Sequence, residues 1–461
     1  MDFKDKKVLV FGSGISGIGA CELLEKSGAT VILFDGNEKL HEEAIRMKLP
    51  SASKAQILIG QISDEQLKEL DLVVLSPGVP TDLPVVEKMK AAGIRIWGEV
   101  ELAYENAKGD VLAITGTNGK TTTTSLLGEI MKCWKESVYV VGNIGNPYTQ
   151  AAPKMTEESV TVAEISSFQL ETIDQFHPKV SAILNITPDH LNRHHTMAEY
   201  IRVKELITKN QTSEDTCVLN YEDPILRAFG ENLQIRVLFF SSERKLKQGL
   251  YLEDETIWYA DESQKLAICK TQDLNIVGKH NYENVMAAAG MALSYGVPLE
   301  KIQEAVKAFQ AVEHRIEFVT EKSGVVYYND SKGTNPDAAI KGIQAMSRPT
   351  LLIGGGYDKG SDYTEWIQSF DGKVKYLVLL GVTKEKIAET ARKCGFDNII
   401  MTESLEEAVK VCAENAESGD AVLLSPACAS WDMFPSYEVR GRRFKELVLS
   451  LIHISEPTRP Y

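Results

Sequence analysis

The stretch Val111-Leu112-Ala113-Ile114-Thr115-Gly116-Thr117-Asn118-Gly119-Lys120-Thr121-Thr122 constrains this chain more than any other. An apolar, β-prone run enters a turn with two glycines, then Lys-Thr, then a helical pattern with Leu126, Leu127, Ile130 and Met131 on one face. Strand, glycine loop and helix in that order form a phosphate cradle. The glycines let backbone N–H groups approach anionic oxygens, and the helix start adds the positive end of its dipole. Lys120 is placed to reach terminal phosphates, and the Thr121 hydroxyl to hold Mg²⁺. Ile114 stands where the usual G-x-x-x-x-G-K-[ST] pattern has its first glycine. A bare GKT turn is also compatible with a purely structural bend, but the flanking strand and helix favour a nucleotide.

The same grammar occurs earlier. Residues 6–12 read as a buried strand running into Gly12-Ser13-Gly14-Ile15-Ser16-Gly17 and a helix, and a second strand, Val31-Ile32-Leu33-Phe34, ends at Asp35. This is a dinucleotide fingerprint with its acidic residue near the expected distance, and it suits any pyrophosphate beside a ribose. Strands at 57–59, 72–75 and 94–97 follow, so residues 1–108 read as one doubly wound α/β domain. The loop Ser76-Pro77-Gly78 leaves a strand end, where such sheets place ligands.

A break at Lys108-Gly109-Asp110 opens a second domain, 109–312, with strands at 138–141, 160–163 and 180–184. Their ends carry Asn143-Ile144-Gly145, Glu164 and Asn185 to His190, on the sheet edge that also carries Lys120. Helices are expected over 197–209, which contains Lys204, over 281–295 and over 299–309. A third α/β unit, 313–452, has strands at 325–328, 350–353, 376–380 and 421–424, again ending in polar or glycine-rich loops. Residues 453–461 have no periodicity and two prolines, and are expected to be a disordered end or an assembly scar.

The chain has 461 residues, 50 Lys+Arg against 65 Asp+Glu, and a formal charge of −15. That balance argues against bulk nucleic-acid or membrane binding. No apolar run reaches membrane-spanning length. Seven cysteines without a C-x-x-C pair suggest a reducing, cytosolic compartment. Cys428 has no partner constellation and is expected to pack as a small apolar residue.

Glu164 and His190 both end strands beside the phosphate loop, within reach of a divalent ion near Thr121. Hard cations prefer oxygen, so spacing alone leaves His190 open between ligand and structural histidine. His194 and His195 read as surface groups, and Lys204 as an exposed helical lysine. His314-Arg315 reads either as a hinge element bringing Arg315 to a triphosphate or as a salt bridge.

The ordered motifs TGTNGKTT, AEISSFQLE, NITPDHLNRH, GKHNYEN, HRIE, NDSKGTNP and LLSPACASWDMF together resemble the Mur ligase family of peptidoglycan precursor synthesis, in its D-glutamate-adding branch. The resemblance runs to about residue 450. It implies an N-terminal Rossmann-like domain binding a UDP-sugar, a central P-loop ATPase-like domain and a C-terminal Rossmann-like domain. It implies ATP, two Mg²⁺ ions, UDP-N-acetylmuramoyl-L-alanine and D-glutamate as partners of a cytoplasmic monomer, and an acyl-phosphate route to the amide.

Matched position by position, Gly116, Thr117, Asn118, Gly119, Lys120, Thr121, Thr122, Asn284, Arg315 and Asp330 are implied to bind ATP. Thr121, Glu164, His190 and an N-carboxylated Lys204 are implied metal ligands. Lys120, Glu164, His190, Lys204 and Lys332 form the implied catalytic set. Gly14, Ile15, Ser16, Asp35, Ser76 and Asn143 match sugar-nucleotide positions, with Gly36 and Asn37 replacing polar or basic family residues. Thr334, Lys359, Ser430 and Tyr437 match the D-glutamate positions, Tyr437 standing where a member of the family has Phe. Because ATP positions come from two domains, a hinge is expected near 310–314.

Rival readings remain at this level. A folylpolyglutamate synthase would not need residues 1–108, and sister ligases adding alanine, a diamino acid or a dipeptide differ in the first domain and last loops. The fingerprint alone would suit a nicotinamide-dependent oxidoreductase. A non-catalytic nucleotide switch would not need three polar strand-end clusters.

Overall fold

The computed structural model describes residues 2–143, 147–276, 278–310 and 312–454, with side chains to 451. The chain is a three-domain α/β protein in which each domain is built on its own sheet. The described residues form two compact units. One takes 2–272 and Glu283–Lys307, the other Asp273–Tyr282 and the residues from Ala308 on.

In the first unit, β1 (Lys7–Phe11), β2 (Thr30–Asp35), β3 (Gln56–Ile59), β4 (Leu72–Leu75) and β5 (Arg95–Gly98) make an all-parallel sheet in the order β3-β2-β1-β4-β5. Its central strands are apolar throughout because helices cover both faces. Val8, Val10, Leu33 and Val74 face one core, and Leu9, Ile32, Val73 and Leu75 the other. The order reverses between β1 and β4, the switch point where such sheets open a ligand crevice. Gly12–Ser16 and Ser76 leave these two strands.

The same unit holds β6 (Asp110–Thr115), β7 (Val138–Gly142), β8 (Val160–Glu164), β9 (Val180–Ile183), β10 (Thr216–Asn220), β11 (Arg236–Ser241), β12 (Gly249–Glu253), β13 (Thr256–Ala260) and β14 (Lys265–Lys270), ordered β14-β13-β12-β11-β10-β9-β6-β8-β7. Pairing is parallel from β7 across to β12, and β12 to β14 form an antiparallel meander. The helix Lys120–Lys132 begins with β-branched threonines, poor helix formers. It is held by the full burial of Leu126, Leu127, Ile130 and Met131, each contributing roughly 2 kcal/mol.

The second unit carries β15 (Glu317–Lys322), β16 (Val325–Asn329), β17 (Thr350–Gly354), β18 (Val374–Leu379), β19 (Ile399–Met401) and β20 (Ala421–Leu424), ordered β15-β16-β20-β17-β18-β19. All pairs are parallel except the β15–β16 hairpin.

The strands expected in 1–108 are present within a residue or two. The sequence reading passed over β10 to β14, β15 and β19. Helices occupy Met197–Glu205, Lys279–Tyr295 and Leu299–Ala308. The last helix, Tyr437–Ile454, runs beyond the expected limit of 452. The rest of the expected tail, 455–461, lies outside the described residues, as do Ile144 and Gly145 of the β7 loop and Ala311 of the expected hinge.

Candidate active site

The glycine loop after β1 is shaped by contact as much as by conformation. A Cβ at Gly17 would lie 1.8 Å from the Gly12 carbonyl oxygen, so only glycine lets the helix Ile15–Lys26 start this close to the strand. Asp35 braces the loop. Its Oδ2 accepts from Ser13 N at 3.0 Å and Ser13 Oγ at 2.6 Å, and its Oδ1 accepts from Asn37 N at 3.0 Å. Burial works against the charge, but the Ser13 and Asn37 hydrogen bonds hold the carboxyl below its usual range. Ile15, 78% exposed at the helix start, faces no core. Ser76 leaves β4 beside the loop, with its Oγ 3.4 Å from the Gly12 oxygen.

The phosphate loop after β6 is clamped by the polar end of β9. Asn185 accepts from Asn118 N at 2.8 Å through its Oδ1 and donates to Asn118 O at 3.1 Å. Thr117 N donates to Asn185 O at 2.9 Å, and Thr117 Oγ1 donates to Thr187 O at 3.1 Å while lying 3.0 Å from the Tyr200 hydroxyl. Gly119 has φ 86°, and a Cβ there would meet Asn284 Oδ1 at 2.3 Å. Asn284 in turn accepts from Thr123 Oγ1 at 3.3 Å. Thr121 and the buried Thr122 open the helix that follows.

Two lysines converge on one carbonyl. Lys120 Nζ donates to Gly116 O at 2.8 Å and Thr117 O at 2.9 Å, and Lys204 Nζ donates to the same Gly116 O at 2.9 Å. Lys204 is 1% exposed and lies over the Tyr200 ring, 4.8 Å from its centroid. Burial drives its ammonium well below the usual lysine range, and the Lys120 charge pushes the same way. The surface-lysine reading is therefore corrected: Tyr200, Val203 and Lys204 are the buried residues of the helix Met197–Glu205.

Glu164, 1% exposed, ends β8. Its Oε1 accepts from Asn143 Nδ2 at 2.9 Å, and its buried Oε2 has no hydrogen-bond partner among the described residues. Asn143, matched to a sugar-nucleotide position, is thus joined to Glu164 as well. His190 adopts a left-handed conformation, φ 52° and ψ 29°, with an exposed ring 4.9 Å from Phe168. Glu164 thus offers, among the described residues, an unengaged carboxylate oxygen, a donor of the hard type that Mg²⁺ prefers.

His194 is a second correction, because it is buried rather than superficial. Its Nδ1 lies 3.3 Å from Glu171 Oε1 and its Nε2 is 2.9 Å from Ser167 Oγ, and burial lowers its basicity. Arg193 donates to Glu171 at 2.6 Å and to the Val79 carbonyl at 2.9 Å, and stacks over Phe168. Sequence alone gives no individual role to Arg193 or Glu171. They line or adjoin a cleft bounded by Ser76, Val79, Thr81, Phe168 and Gln169. His195 is exposed as expected, paired with Asp82 at 3.0 Å.

In the second unit, Arg315 makes no ion pair within 4 Å among the described residues, but its charge acts on the buried Asp330 carboxylate, lowering a pKa that burial raises. Asp330 is fully buried. Its Oδ2 accepts from Ser425 Oγ at 2.7 Å and its Oδ1 from Ile316 N at 3.3 Å, and burial raises its carboxyl to about 6. Lys332 N donates to His314 O at 3.1 Å, and its Nζ lies 5.7 Å from the Tyr437 ring centroid. The Tyr437 carbonyl accepts from Ser331 Oγ at 2.8 Å. Arg440, also missed from sequence, is 3% exposed and ties Ser331 O at 2.8 Å to Cys428 O at 3.2 Å. Cys428 packs as expected, buried against Tyr363 and Thr383, with its thiol pushed up by burial. Thr334 precedes the helix Pro336–Gln344, Lys359 stands on the exposed loop after β17, and Ser430, 2% exposed, keeps a buried hydroxyl without a partner among the described residues.

Three family models match consecutive parts of the chain: Mur ligase MurD-like, N-terminal domain, over 6–98; Mur ligase middle domain over 114–292; and Mur ligase, glutamate ligase domain over 314–428. Relatives bearing the name UDP-N-acetylmuramoylalanine--D-glutamate ligase include one from Lachnoclostridium phytofermentans, 60% identical over 98% of this chain and 99% of that one. Another, from Lachnospira eligens, is 58% identical over 98% and 100%. A third, from Clostridioides difficile, is 48% identical over 98% and 100%. Among solved structures, UDP-N-acetylmuramate-alanine ligase MurC from Thermotoga maritima shares the fold at TM-score 0.60 and 20% identity, covering 97% of this chain and 99% of that one. MurF ligase from Thermotoga maritima in complex with ADP does so at 0.59 and 17%, covering 99% and 97%.

Proposed function

The chain belongs to the Mur ligase family, and from that premise we infer that it joins D-glutamate to UDP-N-acetylmuramoyl-L-alanine with hydrolysis of ATP to ADP. Identity of 60% over almost the whole length of a relative with that name carries the reading. The domain limits near 108 and 312, a cytoplasmic site of action and a monomeric state are parts of the same proposal. The seven free thiols are in keeping with a reducing compartment.

A carboxylate at neutral pH is a poor electrophile, so the lactyl–alanine carboxylate must be activated before an amine can attack it. The γ-phosphoryl group of ATP passes to a carboxylate oxygen and ADP departs. The D-glutamate amine then adds to the acyl carbon, and the tetrahedral adduct expels phosphate to leave an amide. Phosphoryl transfer is mostly positioning and charge neutralisation. Gly116, Thr117, Asn118, Gly119, Lys120, Thr121 and Thr122 line the loop assigned to the phosphates. Asn284, Arg315 and Asp330 are assigned to the same nucleotide. Lys332 is assigned to the charge that builds on the acyl phosphate.

Thr121, Glu164, His190 and Lys204 would hold Mg²⁺, which when bound neutralises phosphate charge. Lys204 suits this role because burial disfavours its charged form. An uncharged amine can attack CO₂, form an N–C bond and lose a proton to give an anionic carbamate. The sugar nucleotide is assigned to Gly14, Ile15, Ser16, Asp35, Ser76 and Asn143, around the switch point between β1 and β4 and the end of β7. D-Glutamate is assigned to Thr334, Lys359, Ser430 and Tyr437. The unpartnered Ser430 hydroxyl and the exposed Lys359 ammonium supply a donor and a cation for a dicarboxylate.

The test is ADP release measured with UDP-N-acetylmuramoyl-L-alanine and a panel of L-glutamate, D-glutamate, L-lysine, diaminopimelate and L-alanine. D-Glutamate is expected to give the highest kcat/KM, and any other winner refutes the assignment. Titration calorimetry is expected to show sugar-nucleotide binding and none of NAD, and tight NAD binding would restore the oxidoreductase reading.

A further inference from the structure

The loops after β17 and β20 carry two exposed aromatic side chains that the reaction outlined above does not use. Trp431 is 63% exposed and Tyr357 42% exposed, yet their rings pack at 5.5 Å between centroids and 57° between planes. Backbone pairing holds the loops together, with Tyr357 N donating to Ala429 O at 2.9 Å in an isolated antiparallel bridge. Trp431 is anchored on both sides. Met433 N and Phe434 N donate to Ser430 O at 3.1 and 2.7 Å, and Asp432 Oδ2 accepts from Val382 N at 3.1 Å. Lys359 Nζ lies over this anchored indole, 5.3 Å from the ring centroid.

Among the described residues no carboxylate pairs with Lys359, whereas Lys386 nearby sits 3.3 Å from Asp358. The difference matters chemically. An acidic partner fixes an ammonium but neutralises it, and must be displaced before a ligand carboxylate can bind. An aromatic face attracts the ammonium through the ring quadrupole, leaves its charge intact and leaves its N–H groups free for an incoming anion.

We propose that Trp431, backed by Tyr357, is a positioning residue that holds the Lys359 ammonium towards a carboxylate of the incoming amino acid. The proposal rests on the assignment of Lys359 to D-glutamate above. Trp431 stands next to Ser430, whose buried hydroxyl lacks a partner among the described residues, so the same short loop offers both a donor and the shelf for the cation.

The experiment compares initial rates of the full-length enzyme with Trp431→Ala, Trp431→Phe, Lys359→Ala and the double variant Trp431→Ala/Lys359→Ala, varying D-glutamate and ATP separately. Trp431→Ala is expected to raise KM for D-glutamate roughly five-fold and to leave KM for ATP unchanged. Trp431→Phe, which keeps a ring face, is expected to restore most of the affinity. In the Lys359→Ala background the tryptophan substitution is expected to add nothing, because the group it holds is gone. An unchanged KM for D-glutamate in Trp431→Ala alongside a raised one in Lys359→Ala overturns the positioning role and spares the acceptor assignment. A tryptophan effect that persists in full without Lys359 also overturns it. If Lys359→Ala leaves KM for D-glutamate unchanged, the acceptor assignment and the positioning role fall together.

Discussion

Lys204 shows how the burial of a single residue can be misjudged from sequence. In the helical pattern it reads as one more polar group, yet it lies four residues from Tyr200, on the same face, and packs over that ring in the interior. A buried ammonium is costly unless it gives up its charge, and the Lys120 charge beside Gly116 adds to that pressure. Replacing it by methionine keeps the volume and removes the polar head. Lys204→Met is expected to melt no lower than the wild type in a thermal scan. Its ligase rate should fall by roughly two orders of magnitude, the scale for losing one charge-stabilising group. A variant that keeps its rate would remove Lys204 from the reaction. His194 was misread for a related reason: the run Asn-Arg-His-His looks like a solvated turn, and nothing local says that His194 and Arg193 turn inward to Glu171.

At the scale of elements, the legible parts were those whose local pattern and global role agree. The apolar strands β1, β2, β4, β6 and β17, each followed by a glycine loop, were visible because parallel strands buried on both faces have no polar positions to blur them. The meander β12 to β14 was not. Its strands are short and half-exposed, and its first hairpin turns through Asp254 and Glu255, both at positive φ. That turn normally advertises itself with Asn-Gly or Gly, and here it does not. The β15–β16 hairpin did carry a signal, Ser323-Gly324 at positive φ, and it was overlooked between two polar stretches. The clamp of Asn185 on the phosphate loop was also invisible, since it joins residues 67 apart. Removing its two hydrogen bonds with Asn185→Ala should loosen the loop without emptying a core. KM for ATP is expected to rise about ten-fold, with a normal melting temperature, and an unchanged KM would show that the loop holds its shape unaided.

For the whole molecule, acid sensitivity has a specific source in the second unit. His280 Nε2 is enclosed without a hydrogen-bond partner among the described residues. Burial, with Arg315 and Lys341 adding positive charge, lowers its imidazole from 6.5 to about 3. The unfolded chain therefore takes up a proton that the native one refuses. Its contribution to stability is full above pH 6.5 and is lost as pH falls towards 3, with a slope of up to about 1.4 kcal/mol per pH unit. His280→Gln is expected to flatten the dependence of the urea midpoint on pH between 6.5 and 4, and an unaltered slope would place the acid sensitivity elsewhere. In the first unit, Glu171, Arg193 and the Val79 carbonyl join the sheet of β1 to that of β6 through nearly buried charges. Stripping one partner from such a pair costs roughly 3–5 kcal/mol, so the two sheets should not open independently. Amide hydrogen exchange is expected to report one shared opening event, with β4 and β8 amides exchanging at a common free energy. Separate exchange regimes would refute this. In Glu171→Gln the two sheets should uncouple into distinct regimes. A sugar nucleotide seated on the first sheet would then slow exchange across the wild-type phosphate loop, so that the first substrate to arrive stiffens the seat of the second.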